Sequence, residues 1–151
     1  MPNELYYEDF EVGQKFESGT YVMDRQDIID FAREYDPQPQ HIDEEGAKAS
    51  LFGTLVASGW HTAAASMRLK IESPMSRVAG GLVGMGLEEV KWPRPVYPGD
   101  ELHVVVTVLE KRESKSKPGK GVIRYKVETF NQKDELVMEM RTAVIVPLRG
   151  A

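Results

Sequence analysis

The sequence predicts an α+β fold in which an antiparallel β-sheet curls round one long helix. Residues 58–72 read as a helix whose first half is almost without a polar face, with Ala57, Ala63, Ala64, Ala65, Met67, Leu69 and Ile71 in and around it. A helix of that kind is buried on most sides. Residues 82–92, 101–110, 122–130 and 136–146 read as strands joined by short turns, the pattern of an antiparallel meander. Such a sheet has to cover one face, and the helix from Ser58 is the obvious cover. The combination is the hot-dog fold, expected as one domain over residues 1–151, a length that buries a sizeable core.

Each element has its own local reason. Residues 16–23 alternate loosely and carry Thr20, Tyr21 and Val22, so they read as one short strand. Asp24 is placed as a helix N-cap, with Asp27 in the first turn. Ile28, Ile29, Phe31 and Ala32 follow at helical spacing. That helix stops near Tyr35 or Asp36, because Pro37 disfavours the α conformation in the residue before it. Pro37 and Pro39 hold residues 36–43 extended or turned, so no regular helix is expected there. A short helix over 43–50 with Asp43 as its cap follows, then an apolar linker over 51–57. Ser58 caps the long helix and Pro74 ends it, giving a rod of roughly 20 Å. Pro93, Pro95, Pro98 and Gly99 punctuate a turn. Val104 to Val108 then form a strongly strand-favouring run, and Ile123, Tyr125, Val127 and Thr129 alternate with more polar neighbours.

Composition excludes several functions. The net charge is −5 and no basic stripe is visible, which argues against nucleic acid as a partner. The one basic cluster, residues 111–120, is interrupted by Glu113, Ser114, Ser116, Pro118 and Gly119. It reads as a solvated hairpin tip, or else as a local contact for ligand phosphates. With no cysteine there is no disulfide framework, thiolate nucleophile or Cys-based zinc site. Met1 to Phe10 contains no apolar signal segment, and no apolar run is long enough to cross a bilayer. A cytoplasmic protein without a membrane partner is expected. No Gly-rich phosphate loop and no metal-ligand spacing stands out, so neither cofactor nor metal is expected.

The chemistry concentrates before and at the start of the long helix. Asp36 sits at a helix C-terminus, where a carboxylate is mildly unfavourable and caps poorly. Alone it would read as a solvated turn residue. His41 lies five positions on, and histidine is the side chain most easily tuned to titrate near neutrality. The intervening prolines stiffen the path and hold the two groups at a fixed separation, able to share one water. Asp43 is accounted for as a cap. Ser58-Gly59-Trp60 places unpaired backbone N–H groups at a helix start, where developing negative charge is favoured. Gly59 has no side chain to block a carbonyl approaching its N–H, although a glycine there also permits tight packing. His61 is a second candidate base that should point away, since consecutive helical residues do not share a face. His103, in a strand with no polar company, reads as structural. Together these pieces favour addition of water to, or its removal from, a double bond conjugated to a thioester held at the helix start. The Asp36–His41 pair would move the protons.

Phe31-Ala32, Asp36-x-x-Pro39-x-His41-x-Asp43, Ala57-Ser58-Gly59-Trp60-His61-Thr62-Ala63 and Lys91-Trp92-x-Arg94-Pro95-Val96-x-x-Gly99-Asp100-x-Leu102 resemble the MaoC-like dehydratase family, which contains the (R)-specific enoyl-CoA hydratases. The resemblance covers residues 6–146. It implies a hydratase dyad of Asp36 and His41, thioester-oxygen binding at the Gly59 N–H, an acyl-CoA substrate, and a homodimer or higher assembly with the acyl group near the subunit interface. The chain has Gln38 where the family commonly has Asn, and Met67, beside Ser66, where its hydratases often place a serine. A hot-dog thioesterase and a non-catalytic acyl-CoA binding module are the alternatives. The loops over 51–54 and 73–81 are expected to shape the pocket.

Overall fold

The computed structural model describes residues 4–151; the first three residues of the N-terminal stretch read above lie outside the described residues. In chain order the elements are β1 (Lys15–Glu17), β2 (Tyr21–Val22), α1 (Arg25–Tyr35), α2 (Pro39–Ile42), α3 (Glu44–Lys48), α4 (Gly59–Glu72), β3 (Val83–Lys91), β4 (Glu101–Glu113), β5 (Lys120–Phe130) and β6 (Leu136–Pro147). Every strand pairing is antiparallel. The sheet order is β1-β4-β5-β6-β3, with β2 also on β4. Leu102, Val104, Val106 and Val108 face inward along β4, and Ile123, Tyr125, Val127 and Thr129 along β5. Ala65 and Leu69 of α4 pack into the same core cluster. This is the expected hot-dog fold, a sheet closed over one long helix. No helix among the described residues is long and apolar enough to cross a membrane.

The helix boundaries follow the local chemistry. The Asp24 carboxylate accepts the Asp27 N–H at 3.1 Å to start α1, and Asp43 accepts the Gly46 N–H to start α3. At the turn before β4, Gly99 adopts φ +88°, a left-handed conformation that glycine takes at little cost. There its N–H reaches the Met23 carbonyl at 2.8 Å.

Three expectations are corrected. The strand over 16–23 is two strands, because the Ser18 hydroxyl accepts the Val104 N–H at 2.8 Å; a side chain takes the place of a ladder carbonyl and breaks the run. Residues 36–43 do contain a helical turn, α2. Pro39 is its first residue, where the missing N–H is not needed and the fixed φ suits a helix. Finally, α4 is not buried on most sides. Trp60, Met67 and Ile71 are exposed, as are Val83, Met85 and Leu87 on β3, leaving an apolar strip on one side of the chain.

Candidate active site

Asp36 follows the last residue of α1, with its N–H on the Ala32 carbonyl at 2.8 Å. His41 lies on α2 and is buried. The α1–α2 turn swings them together, so that His41 Nε2 lies 3.5 Å from Asp36 Oδ2. The other imidazole nitrogen, Nδ1, is 2.7 Å from the Val56 carbonyl oxygen. A carbonyl only accepts, so Nδ1 carries the proton. In neutral His41 the lone pair is therefore on Nε2, the nitrogen beside the carboxylate.

Both Asp36 oxygens are occupied. Ser58 Oγ donates to Oδ2 at 2.7 Å and Gln38 Nε2 donates to Oδ1 at 2.7 Å. Burial by itself pushes this carboxyl up. The Ser58 and Gln38 hydrogen bonds and the neighbouring His41 outweigh it, and the carboxyl is held below the ordinary aspartate range. Ser58 is fully buried and also accepts the Trp60 N–H at 3.3 Å. One side chain thus caps α4 and holds Asp36.

The Gly59 N–H has no acceptor among the described residues, and the glycine lines the same cavity as Asp36 and His41. The cavity measures about 370 Å³ and is walled by Phe52, Val56, Thr62, Trp92 and Pro95 among others. The close packing foreseen for Gly59 is present as well. A Cβ there would lie 2.8 Å from Trp92 Cε2, and the Trp92 indole donates to the Gly59 carbonyl at 3.0 Å.

The remaining candidates separate clearly. The N–H of Trp60 is taken by the Ser58 hydroxyl and Ser58 does not line the cavity, so of the three residues read as donors at the helix start Gly59 is the one that offers a free N–H to it. The Trp60 ring instead stands edge-on to Trp92 at 5.4 Å beside the opening. His61 points away and stacks on Phe31 at 4.7 Å, and burial pushes its pKa down. His103 is not without polar company: its Nε2 is 3.7 Å from Asp134 Oδ1, and its ring stacks on Phe130. Of the two loops expected at the pocket, Phe52 of the first lines it, whereas the second does not. In that second loop Met75 and Val78 turn into the core. The functions of Gln38, Val56 and Trp92 at the site escaped the sequence reading. In the sequence Gln38 stands out only as a departure from a family pattern, and the Val56 carbonyl has no side-chain signal to find.

The MaoC like domain family profile matches residues 9–131. The chain belongs to this family. The MaoC-like dehydratase from Rhodospirillum rubrum is 46% identical, with a TM-score of 0.91 over 97% of this chain and 99% of that one. The uncharacterized protein YdeM of Bacillus subtilis (strain 168) is 34% identical over 92% of this chain and 96% of its own length. The (R)-hydratase PhaJ1 from Pseudomonas aeruginosa, in its unliganded form, is 26% identical, with a TM-score of 0.73 over 97% and 88% of the two chains. This MaoC-like domain therefore stands among hydratases and dehydratases, and its cavity beside the start of α4 is the place to look for that chemistry.

Proposed function

We propose that the protein is a hydro-lyase that adds water reversibly across the 2,3 double bond of an enoyl-CoA-type thioester, with Asp36 and His41 as its acid/base pair. The observation that carries this is the orientation of His41, whose basic nitrogen is turned toward an ionised carboxylate inside the cavity. The thioester oxygen accepts from the Gly59 N–H, at the positive end of α4. This draws electrons from the double bond and makes Cβ electrophilic. A water held between Asp36 and His41 attacks Cβ and gives a proton to Nε2, and Asp36 steadies the resulting imidazolium. The electron pair moves to the thioester oxygen as an enolate. The imidazolium then returns its proton to Cα, so one water has been added and the dyad is restored. Dehydration is the same path in reverse.

The assay separates three readings. Incubation with trans-2-octenoyl-CoA should remove the enoyl absorbance without releasing free thiol. Free CoA from octanoyl-CoA would mark a thioesterase, and binding without either change would mark a carrier.

We also propose that the protein self-associates through its apolar strip. Val83, Met85 and Leu87 on β3 and Met67 and Ile71 on α4 are exposed, and a second copy covering them would bury a run of large apolar side chains.

A further inference from the structure

Lys70 is only 3% exposed, and the proposed chemistry makes no use of it. Its Nζ donates to the Tyr125 hydroxyl at 2.8 Å, and no carboxylate among the described residues pairs with it. An ammonium taken out of water without a counter-charge is costly. An ammonium has three N–H donors, so two remain unspent beside the Tyr125 O–H. Lys70 and Tyr125 both line a second cavity of about 340 Å³ whose walls include Met67, Leu87 and Val144. A pocket with apolar walls and unspent donors from a cation is built for an apolar chain that ends in an anion.

The two cavities share one side of α4. Gly59 lines the first, and Met67 and Ile71 line the second. With Ala63 between them they recur every four residues, so they lie along one stripe. Thr62, Ser66 and Lys70 form the neighbouring row, with Thr62 in the first cavity and Lys70 in the second. Lys70 follows Gly59 by eleven residues, about 16 Å along the axis, and helical side chains lean back toward the helix start. An acyl chain with its thioester oxygen at Gly59, running past the small Ala63, comes to its end beside Lys70.

We propose that the second cavity receives the far end of the acyl chain and that Lys70, with Tyr125, selects a chain terminated by a carboxylate. The natural substrate class is then an enoyl thioester of a dicarboxylic acid. This rests on the reading of the first cavity as a thioester site.

The test is binding, which needs no turnover. Adipyl-, suberyl- and sebacyl-CoA are titrated calorimetrically against hexanoyl-, octanoyl- and decanoyl-CoA, their methyl-ended matches. A charged hydrogen-bonded end group should favour the dicarboxylic member of at least one pair by roughly tenfold or more. Lys70→Met should abolish that preference and Tyr125→Phe should reduce it, so that a poorly folding variant of one leaves the other to decide. Equal affinity within all three pairs, the result expected if a carboxylate of a second copy already neutralises Lys70, overturns the proposal, as does a preference that survives in Lys70→Met. Hydration of octenoyl-CoA without any carboxylate preference would sink this inference and leave the hydro-lyase reading standing. A carboxylate preference without hydration would do the reverse.

Discussion

The Val56 carbonyl oxygen and His41 Nδ1 stand 2.7 Å apart, and this contact determines which imidazole nitrogen faces Asp36. Val56 belongs to the linker between α3 and α4, and its own N–H is held by the Gln40 carbonyl at 3.0 Å. The backbone that sets the His41 tautomer is therefore tied to the helical turn that bears His41.

If this pair moves the protons, removing either member should act on turnover rather than on folding. Asp36→Asn and His41→Ala should each lower hydration of trans-2-octenoyl-CoA by a factor of roughly 10² or more, the usual contribution of general acid–base catalysis. The circular dichroism spectrum should remain that of the parent. Parental turnover in Asp36→Asn would remove the assignment.

Ser58 couples the cap to the carboxylate. Ser58→Ala should cost about 1 kcal/mol of stability through the lost cap, read from thermal unfolding. It should also shift the pH profile. Ser58 lowers the Asp36 pKa by hydrogen bonding to the charged form. Without it the carboxyl protonates at higher pH, so the acidic limb of kcat/KM moves upward. A Ser58→Ala protein with the acidic limb unmoved would separate Ser58 from the Asp36 charge.

The close packing of Gly59 on Trp92 can be tested directly. Gly59→Ala drives a Cβ to 2.8 Å from Trp92, well inside van der Waals contact, so stability and activity should both fall. Removing the obstacle in Gly59→Ala/Trp92→Ala should recover stability relative to the sum of the two single changes. Strict additivity in thermal unfolding would mean that the two residues do not clash.

Self-association makes a separate prediction. Leu87→Glu places a charge in the exposed apolar strip, where β3 forms the sheet edge. Sedimentation should show the parent as a dimer or larger and the variant shifted to monomer. A monomeric parent at assay concentration would refute the proposal.

Much of this was legible in the sequence because the signals are local. The strand alternation of Val104, Val106 and Val108, the caps Asp24, Asp43 and Ser58, and the stop before Pro74 each depend on a few neighbouring residues. The pairing of Asp36 with His41 was legible as well, because two prolines constrain the short path between them. What the sequence hid is long-range or backbone-borne. The Val56 carbonyl has no signature, Trp92 reaches Gly59 from a distant strand end, and the partner of Lys70 lies on β5. The helical turn at Pro39 has no distinct local signal, because a proline that ends one helix can also begin the next.

Lys70 carries the last prediction. Burial pushes its ammonium pKa from 10.5 down to about 8, and burial raises the Tyr125 phenol from 10.0 to about 12. Below pH 8 Lys70 is protonated in both the folded and the unfolded chain, so the burial penalty is fully present. Between about pH 8 and 10 the unfolded chain holds a proton on this lysine that the folded chain has released. Stability therefore rises with pH across that window. Above pH 10 the unfolded chain loses its Tyr125 proton while the folded chain keeps it, which pulls stability down again. A shift of this size corresponds to a penalty of roughly 3 kcal/mol at neutral pH. Lys70→Met relieves it but leaves the Tyr125 hydroxyl without its donor, which costs about 1 to 2 kcal/mol. The variant should be the more stable protein at pH 7 by about 1 to 2 kcal/mol in urea unfolding, and its advantage should shrink steadily toward pH 10. An advantage that stays constant across that range would show that Lys70 does not titrate there.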